Sequence, residues 1–366
     1  EDIRLVPSVV SGDPSDRRSI VTAASIPAKK MGIKTAQPVT MALRTCPNLR
    51  IVRGDWAWYR QCSDSFMDIC RSYSPVLEKF SIDECFIDMS LRLYGKDPVA
   101  VAMELKDRIN VGVGSNKLLA KMASDFEKPD KVHTLWTEEV KAKMWPLDVG
   151  DLLWVGKKTA LRLNSYGIRT IGQLASTRPE LLTGIVGKKF AVQMHDNANG
   201  RDDSPVETDV QQAKSISAER TFEKDIVNPA ELDKALFHVA CIVAHRLRRS
   251  GFQASCVSMF IKHKDFSVAQ KQCRTSRPTD ITAEILNIVR SLLSQVWDGS
   301  SPIRQVGIGL SGFTQEDIVQ MTLFEDPKME YYRKWDLEYD EKMSASEDAR
   351  LLAYERAVPK DEAPGR

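Results

Sequence analysis

The chain has 366 residues, of which 42% are hydrophobic and 28% charged, and its net charge is +2. These proportions are those of an ordinary soluble protein, and the length allows two or three domains with their own cores. No apolar run approaches the roughly 20 residues of a membrane helix. The seven cysteines form no CxxC arrangement and the five histidines no metal-ligand spacing. We therefore expect a cytoplasmic protein with reduced thiols and no zinc site.

The charge is unevenly distributed along the chain. Residues 214–304 hold 14 Lys and Arg against 9 Asp and Glu, whereas residues 316–366 hold 8 against 14. A basic body with an acidic tail suits binding to a polyanion, with the tail kept away from it. Taken alone this indication is weak, because many folded proteins have uneven charge.

The first 90 residues predict mixed secondary structure. Short apolar runs alternate with turn signals up to about residue 60, which is typical of a small α/β segment, and a helical pattern follows over 62–73. The apolar residues of FSIDECFIDMS, Phe80–Ser90, then predict a strand in a sheet interior.

Asp83 and Glu84 are adjacent acids inside that apolar segment. Neighbouring carboxylates in an interior carry a desolvation and repulsion cost. A divalent cation removes this cost, since Mg²⁺ prefers one or two carboxylates together with substrate phosphates. The pair is therefore a candidate two-metal phosphoryl-transfer site. The alternative is a surface hairpin whose tip happens to be acidic.

The next segments predict a helix from Pro98, a strand over 111–115, a helix over 116–126 and a strand over 132–136. This order, with an acid pair on a central strand, indicates an α+β sheet. The second of these helices follows a glycine-rich strand end and carries Lys117 and Lys121, with Lys128 just after it. A helix N-terminus with nearby lysines attracts phosphate, which favours triphosphate binding. The alternative is a solvated, lysine-rich helix face.

Residues 146–205 are helical in pattern and rich in short turns. Val155, Gly156 and Lys157 lie between two predicted helices in the manner of a helix-hairpin-helix, whose glycine lets the backbone approach a DNA phosphate. Lys158 adds charge. A plain αα-hairpin is the alternative.

A polar stretch over 206–213 suits a linker, and a second α+β unit runs over 214–313. Its predicted strands are 215–222, 255–262, 267–274 and 304–311, and its predicted helices are 229–250 and 280–296. Basic side chains recur there, as they would in contact with a nucleic-acid backbone, although a solvated surface would also carry them. The last fifty residues predict an extended or loosely helical tail, in which QMTLF (320–324) offers exposed apolar side chains to a partner pocket.

Together these segments resemble the Y-family (translesion) DNA polymerases, the group of bacterial DNA polymerase IV and the UmuC-type proteins. The motifs occur in the family's order over nearly the whole chain: SIDECFIDMS, GVGSNKLLAKMASDFEKPD, WVGKKTALRL with YGIRTIGQLA, GRDDSPV, KSISAERTF and QMTLF. The resemblance implies an α+β right-hand polymerase with palm, small fingers, helical thumb and little finger. It places fingers and N-terminal palm at 1–64, palm at 65–146, thumb at 147–206, linker at 207–213, little finger at 214–315 and tail at 316–366.

The resemblance also implies roles at matching positions. Asp83 and Glu84 would be catalytic and would bind two Mg²⁺ ions. The dNTP-binding positions would be Ser25, Ile26, Lys29 and Lys128, with Lys29 and Ile26 standing where many relatives have arginine and tyrosine. DNA contacts would come from Val155, Gly156, Lys157, Lys158, Thr159, Ser215, Arg220 and Thr221. Gln320, Leu323 and Phe324 would bind the sliding clamp.

Two departures from the family pattern bear on activity. The family's first strand, which carries the first metal-binding aspartate, would precede Glu1, and a chain without it is expected to lose most catalysis. The tight junction between Ile109 and Val111 indicates a deletion. The implied function is low-fidelity DNA synthesis from dNTPs on a primer–template, by a monomer recruited to the clamp and without membrane contact. The alternatives are a non-catalytic DNA-binding module recruited to the clamp and, disfavoured, a nucleotidyl cyclase.

Overall fold

The computed structural model describes residues 2–12, 18–90, 97–106, 111–127, 131–208, 212–315 and 327–345. The chain forms two compact units, one of Glu1–Gly54 with Gln212–Arg366 and the other of Asp55–Gln211. No helix in the described part has both the length and the apolar character needed to cross a membrane. The seven cysteines lie within the described ranges and form no disulfide there.

The N-terminal part of the first unit is a small sheet with two short helices. Its elements are β1 (Ser8–Ser11), β2 (Val21–Ala24), α1 (Ile26–Lys30), α2 (Val39–Thr45) and β3 (Arg50–Arg53). β1 lies in the centre, antiparallel to β2 and parallel to β3. Val9 and Val21 of the sheet are buried in one cluster with Val39 of α2, and this apolar burial holds the helix on the sheet.

The second unit begins with mixed helices and strands. These are α3 (Trp56–Tyr73), β4 (Leu77–Lys79), β5 (Cys85–Ile87), α4 (Pro98–Lys106), β6 (Val111–Gly114), α5 (Lys117–Asp125) and β7 (Val132–Leu135). β4 pairs antiparallel with β5, and β6 pairs parallel with β7. The helices and strands predicted between residues 98 and 136 are therefore present. The junction between Ile109 and Val111 lies outside the described residues.

The prediction of a single interior strand over Phe80–Ser90 is wrong. β5 covers only Cys85–Ile87, and its residues are half-buried. The amides of Phe80 and Ser81 both donate to the carbonyl of Glu84, at 3.0 Å. This turn ends strand pairing at Lys79 and Cys85, so the two acids lie in the tip of a β4–β5 hairpin instead of inside a sheet.

Strand β6 and helix α5 pack at backbone distance. A Cβ atom at Gly112 would lie 2.1 Å from the carbonyl oxygen of Ala120, and one at Gly114 would lie 2.6 Å from the Ala120 amide nitrogen. Only glycine allows this approach. The glycines of the GVGS segment therefore place α5, with its lysines, directly on the strand.

A helical segment follows, made of α6 (Lys157–Ser165), α7 (Ile171–Ser176), α8 (Pro179–Val186) and α9 (Lys188–Ala198). Gly167, with φ of 82°, forms the turn between α6 and α7, a conformation that favours glycine. Leu163 and Ile171 are fully buried and share one cluster with Leu119 of α5. The helix predicted to follow Gly156 and the turn after it are present, but the helix predicted before Gly156 is only a 3₁₀ turn, Val149–Asp151. Gly156 therefore does not lie between two α-helices.

The C-terminal part of the first unit is the predicted second α+β arrangement. Its elements are β8 (Ser215–Ile226), α10 (Pro229–Arg249), β9 (Gln253–His263), β10 (Val268–Thr279), α11 (Thr282–Leu293) and β11 (Ile303–Thr314). The strand order is β10-β9-β11-β8, and every neighbouring pair is antiparallel. Val306, Ile308 and Leu310 of β11 are buried in one cluster with residues of α10 and α11. One face of the sheet thus packs on the helices, and the other face is open.

The acidic tail contains a regular helix, α12 (Pro327–Ala345), which corrects the expectation of an extended or loosely helical segment. Asp336 is buried and accepts hydrogen bonds from the amide and hydroxyl of Thr282. Asp340 accepts from Arg248 at 2.7 Å and lies 2.8 Å from Nδ1 of His245. The acids of α12 therefore face basic residues of α10, and the Trp335 ring of α12 also packs against Phe237 of α10, with centroids 5.8 Å apart. Charge pairing and aromatic contact together hold this helix in place.

Candidate active site

The acidic pair lies in a polar hairpin tip. Asp83 is exposed, and the hydroxyl of Ser81 donates to its Oδ1 at 2.7 Å. Glu84 is half-buried, and Lys121 of α5 donates to its Oε1 at 2.6 Å. The hairpin and α5 thus present two carboxylates and a cation at one place.

Lys121 joins the hairpin to α5. Its ammonium also donates to Asp125, one helical turn further on, at 3.0 Å. Burial opposes the charged form of Lys121, but the hydrogen bonds to Glu84 and Asp125 outweigh burial and hold its pKa above the ordinary value. Lys121 is therefore a fixed positive charge beside Glu84.

Lys117 makes a second connection between α5 and the hairpin. It donates to Glu78 of β4 at 2.6 Å and to the carbonyl of Pro205 at 3.1 Å. Its ammonium also lies 5.2 Å from the centre of the Phe86 ring, within the range of a cation–π contact. The lysines that the sequence singled out therefore hold the acidic hairpin against α5.

The N-terminus of α5 is already capped. Asn116 accepts a hydrogen bond from the amide of Leu119 at 2.9 Å, and the carboxylate of Asp202 accepts one from the amide of Leu118 at 3.1 Å. A phosphate at this helix N-terminus, as the sequence predicts, would therefore have to displace Asp202. Sequence reasoning missed this role of Asp202; a carboxylate in the GRDDSPV segment was the only available signal.

The acids line a cleft of about 1320 Å³ within the second unit. Asp83, Glu84, Lys117 and Lys121 contribute to its wall, together with Ser115 and Asp203. This volume can accommodate a molecule as large as a nucleotide, for which sites of roughly 300–1,000 Å³ are usual. Lys128, expected beside the acids, lies outside the described residues.

The other residues assigned to dNTP binding belong to the first unit. Ser25 is the N-cap of α1: its hydroxyl accepts from the amide of Ala28 and donates to the carbonyl of Val6. Ile26 is 68% exposed, and Lys29 is exposed in the last turn of the same helix. Ser25 thus has a structural role, whereas Ile26 and Lys29 present their side chains to solvent.

The predicted DNA-binding hairpin has an uncapped helix start. Gly156 is the N-cap of α6 and offers no side chain to the first-turn amides. Lys157 and Lys158 are exposed, Thr159 is half-buried, and Val155 is buried in the core. Val155 can therefore contribute only its backbone to a ligand.

The three positions on β8 do not share one face. Arg220 lies on the same face of the strand as Ile216 and Ala218, which pack against the core. Its guanidinium lies 3.1 Å from Nδ1 of His238 in α10. Ser215 and Thr221 lie on the opposite face of the strand and are exposed. Gln320, Leu323 and Phe324 lie outside the described residues.

Within the described ranges, no group of three or more His, Cys, Asp and Glu side chains is placed to hold a metal ion. In these ranges, the structure thus brings no further pair of such side chains to Asp83 or Glu84.

Comparison with known proteins defines the class to which this fold belongs. The model of the impB/mucB/samB family matches residues 1–125, and that of the impB/mucB/samB family C-terminal domain matches residues 213–323. DNA polymerase IV of Clostridium acetobutylicum is 36% identical over 333 residues, which cover 89% of this chain and 84% of the relative. DNA polymerase IV 2 of Bacillus subtilis is 34% identical over 354 residues, covering 91% and 84%.

Solved structures agree on the fold. A Y-family DNA polymerase chimera superposes with a TM-score of 0.74 at 21% identity, over 86% of this chain and 94% of that one. DinB from Sulfolobus solfataricus gives a TM-score of 0.55 at 22% identity, over 84% and 92%.

The chain therefore belongs to the Y-family of DNA polymerases, enzymes of translesion DNA synthesis. It is a DNA-directed DNA polymerase with the α+β right-hand fold of that family. Y-family polymerases are generally metal-dependent.

Proposed function

We propose that this chain transfers nucleotides from dNTPs to a primer 3′-hydroxyl on damaged template, with Asp83 and Glu84 binding the two catalytic Mg²⁺ ions. The observation that carries the proposal is the position of both carboxylates at a hairpin tip that lines the same cleft as Lys117 and Lys121. Negative charge for metal and positive charge for phosphate are thereby brought together.

The donor set suits Mg²⁺. The two carboxylates are adjacent in the chain and accessible from the cleft. Mg²⁺ usually takes only one or two protein carboxylates and fills its other positions with substrate phosphates and water. When bound, Mg²⁺ supplies charge neutralisation for an in-line displacement at the α-phosphate. Ser81 orients Asp83 through its hydrogen bond, and Lys121 fixes Glu84. Lys128 and Lys29 are proposed to bind the triphosphate.

Helix α6 is proposed to bind a DNA phosphate independently of sequence. Its first-turn amides have no side-chain cap, its first turn has no acid, and Lys157 and Lys158 are exposed. The partial positive charge of a helix N-terminus and two lysines favour an anion there. Gly156 adds room, since a Cβ at that position would meet no atom within 4 Å.

The open face of the β8–β11 sheet is proposed to lie on the DNA backbone. Paired positions across it bring Gly307 and Gly309 of β11 beside Phe260 and Ser258 of β9. Lys262 and Arg274 stand on the same face by strand register. Small residues give a smooth surface and the two cations attract phosphate, and Ser215 and Thr221 extend this face.

The remaining assignments complete the proposal. The domains are those given by the sequence: fingers and palm up to 146, thumb 147–206, linker 207–213, little finger 214–315 and tail. The partners are primer–template DNA, dNTP and, through Gln320, Leu323 and Phe324, a sliding clamp. The protein acts as a cytoplasmic monomer. Deleting Gln320–Phe324 should reduce only the clamp-stimulated part of primer extension, and an equal loss without clamp would contradict this assignment.

Asp83→Asn and Glu84→Gln test the catalytic assignment. Each should lower primer extension by at least about a hundredfold, the scale for removing one essential electrostatic contact, while binding to primer–template DNA stays near that of the parent. Glu104→Gln, an exposed acid on α4 outside the cleft wall, is the matched control and should leave extension unchanged.

Both variants are tested in a chain that includes the family's first strand, and undiminished extension in either would refute the assigned roles. If that longer chain binds primer–template DNA but extends no primer with Mg²⁺, the result would instead favour the other candidate, a DNA-binding module without catalysis.

A further inference from the structure

Trp154 lies in the turn before α6 and has an unusual backbone. Its φ is 74°, and the amide of Val155 donates to the carbonyl of Leu152 across the turn at 2.9 Å. A positive φ at the third position of such a turn is usually met by glycine, because a side chain is disfavoured there. Leu152 and Val155 are both buried, so the turn is anchored on each side of the indole.

The Trp154 indole is exposed and touches the acidic hairpin. It is 60% exposed, and its ring meets Phe80 edge-on, with centroids 5.8 Å apart. Phe80 packs in turn on Phe86 at 5.3 Å. A large apolar ring thus occupies a position that suits glycine, and most of its surface remains in water. Residues held in disfavoured backbone regions cluster at functional sites.

The neighbours of Trp154 indicate what would cover it. On one side is the hairpin with Asp83 and Glu84, where the proposed function places the primer 3′ end. On the other side, three residues further along the chain, α6 begins with an uncapped N-terminus and the exposed Lys157 and Lys158. A DNA strand that ends at the hairpin and gives a phosphate to α6 has to pass the indole.

We propose that Trp154 is a DNA-binding residue whose indole packs against a deoxyribose of the primer strand close to its 3′ end. The bases of a duplex stack on one another, so the sugar is the apolar surface that the strand offers to a side chain beside it. Tryptophan supplies a large rigid apolar area for such a contact. The inference rests on the proposed function, since it takes the primer strand as the ligand.

Trp154→Gly is the decisive variant, because glycine lacks the ring and adopts the positive φ without a steric cost. The variant should unfold at the same temperature as the parent or higher. Its affinity for a fluorescent primer–template, measured by anisotropy without nucleotide, should fall by roughly five- to thirtyfold, as for truncation of a buried interface tryptophan. Trp154→Phe should retain much of the affinity. Trp58→Ala, at an equally exposed tryptophan (58%) on α3, should change it little.

Salt dependence separates this contact from an ionic one. Trp154→Gly removes no charge, so the slope of the logarithm of affinity against the logarithm of salt concentration should match that of the parent. Lys157→Ala should reduce that slope, by about one unit for one lost phosphate contact. A changed slope in Trp154→Gly would overturn a contact with the sugar.

Acrylamide quenching reports the contact directly. The part of the tryptophan emission that is lost in Trp154→Phe should become protected from acrylamide when primer–template DNA is added. A parent chain that binds DNA with Trp154 still unprotected, or a Trp154→Gly variant with parental affinity, would refute this inference alone. A parent chain that does not bind primer–template DNA would overturn the proposed function together with it.

Discussion

Gly112→Ala puts a methyl group between strand β6 and helix α5. The new Cβ would lie 2.1 Å from the carbonyl oxygen of Ala120 and 2.4 Å from the amide nitrogen of Ser124, whereas ordinary contacts begin at 3.4 Å. Both neighbours are helix backbone, so no side-chain rotation relieves the clash. In a close-packed interior, α5 must then move away from β6 by roughly 1 Å.

The expected loss of stability is about 3 kcal/mol, at the upper end of what overpacking a core costs. For a unit of this size that corresponds to a fall in unfolding temperature of roughly 6–12 °C. The displacement would also stretch the 2.6 Å hydrogen bond between Lys121 and Glu84, because Lys121 moves with α5. Primer extension should therefore fall even at temperatures where the variant stays folded.

Urea unfolding followed by far-UV circular dichroism measures the effect. Gly184→Ala is the matched control: a Cβ there, inside α8, would meet no atom within 4 Å. It should stabilise the protein by about 0.5–1 kcal/mol through helix propensity. If Gly112→Ala unfolds at the parental urea concentration, the close packing of β6 on α5 is not as described.

Three further outcomes are expected. Gly307→Ala, whose Cβ would meet the ring of Phe260 at 2.1 Å, should destabilise by only about 1–2 kcal/mol because a side chain can rotate away, and it should weaken DNA binding measured by anisotropy. Arg248→Met leaves Asp336 buried without its cation, which should lower the free energy of unfolding by about 3–5 kcal/mol. Amide hydrogen exchange in α12 should accelerate by more than about a hundredfold, and unchanged protection would contradict docking by charge. Burial raises the pKa of the Asp336 carboxyl above its ordinary value of 3.8, although Arg248 opposes the rise. The stability that the protonated Asp336 contributes is therefore complete below pH 3.8 and is lost as the pH rises through the raised pKa. Asp336→Asn should remove that pH dependence, as urea titrations at graded pH would show.

The secondary structure of the C-terminal part of the first unit could be predicted because the signals for its strands and helices are local. The strands at 215–222, 255–262, 267–274 and 304–311 alternate apolar and polar residues, and all are present, each somewhat longer than predicted. Helix α12 was not predicted as a packed element. Its attachment depends on Asp336 and Asp340 meeting Arg248 and on Trp335 packing against Phe237. These contacts join segments that are distant in the chain, so no local pattern in the sequence predicts them.

The acidic pair shows the same division. Chain order and helical spacing alone require that Asp83 and Glu84 are adjacent and that Lys117 and Lys121 share one helix. The position of the pair in a hairpin tip, the hydrogen bond from Lys121 to Glu84 and the capping of α5 by Asp202 could not be predicted in this way. Those contacts depend on turns and on the glycine-mediated approach of β6 to α5, whose geometry is set by packing between segments distant in the chain.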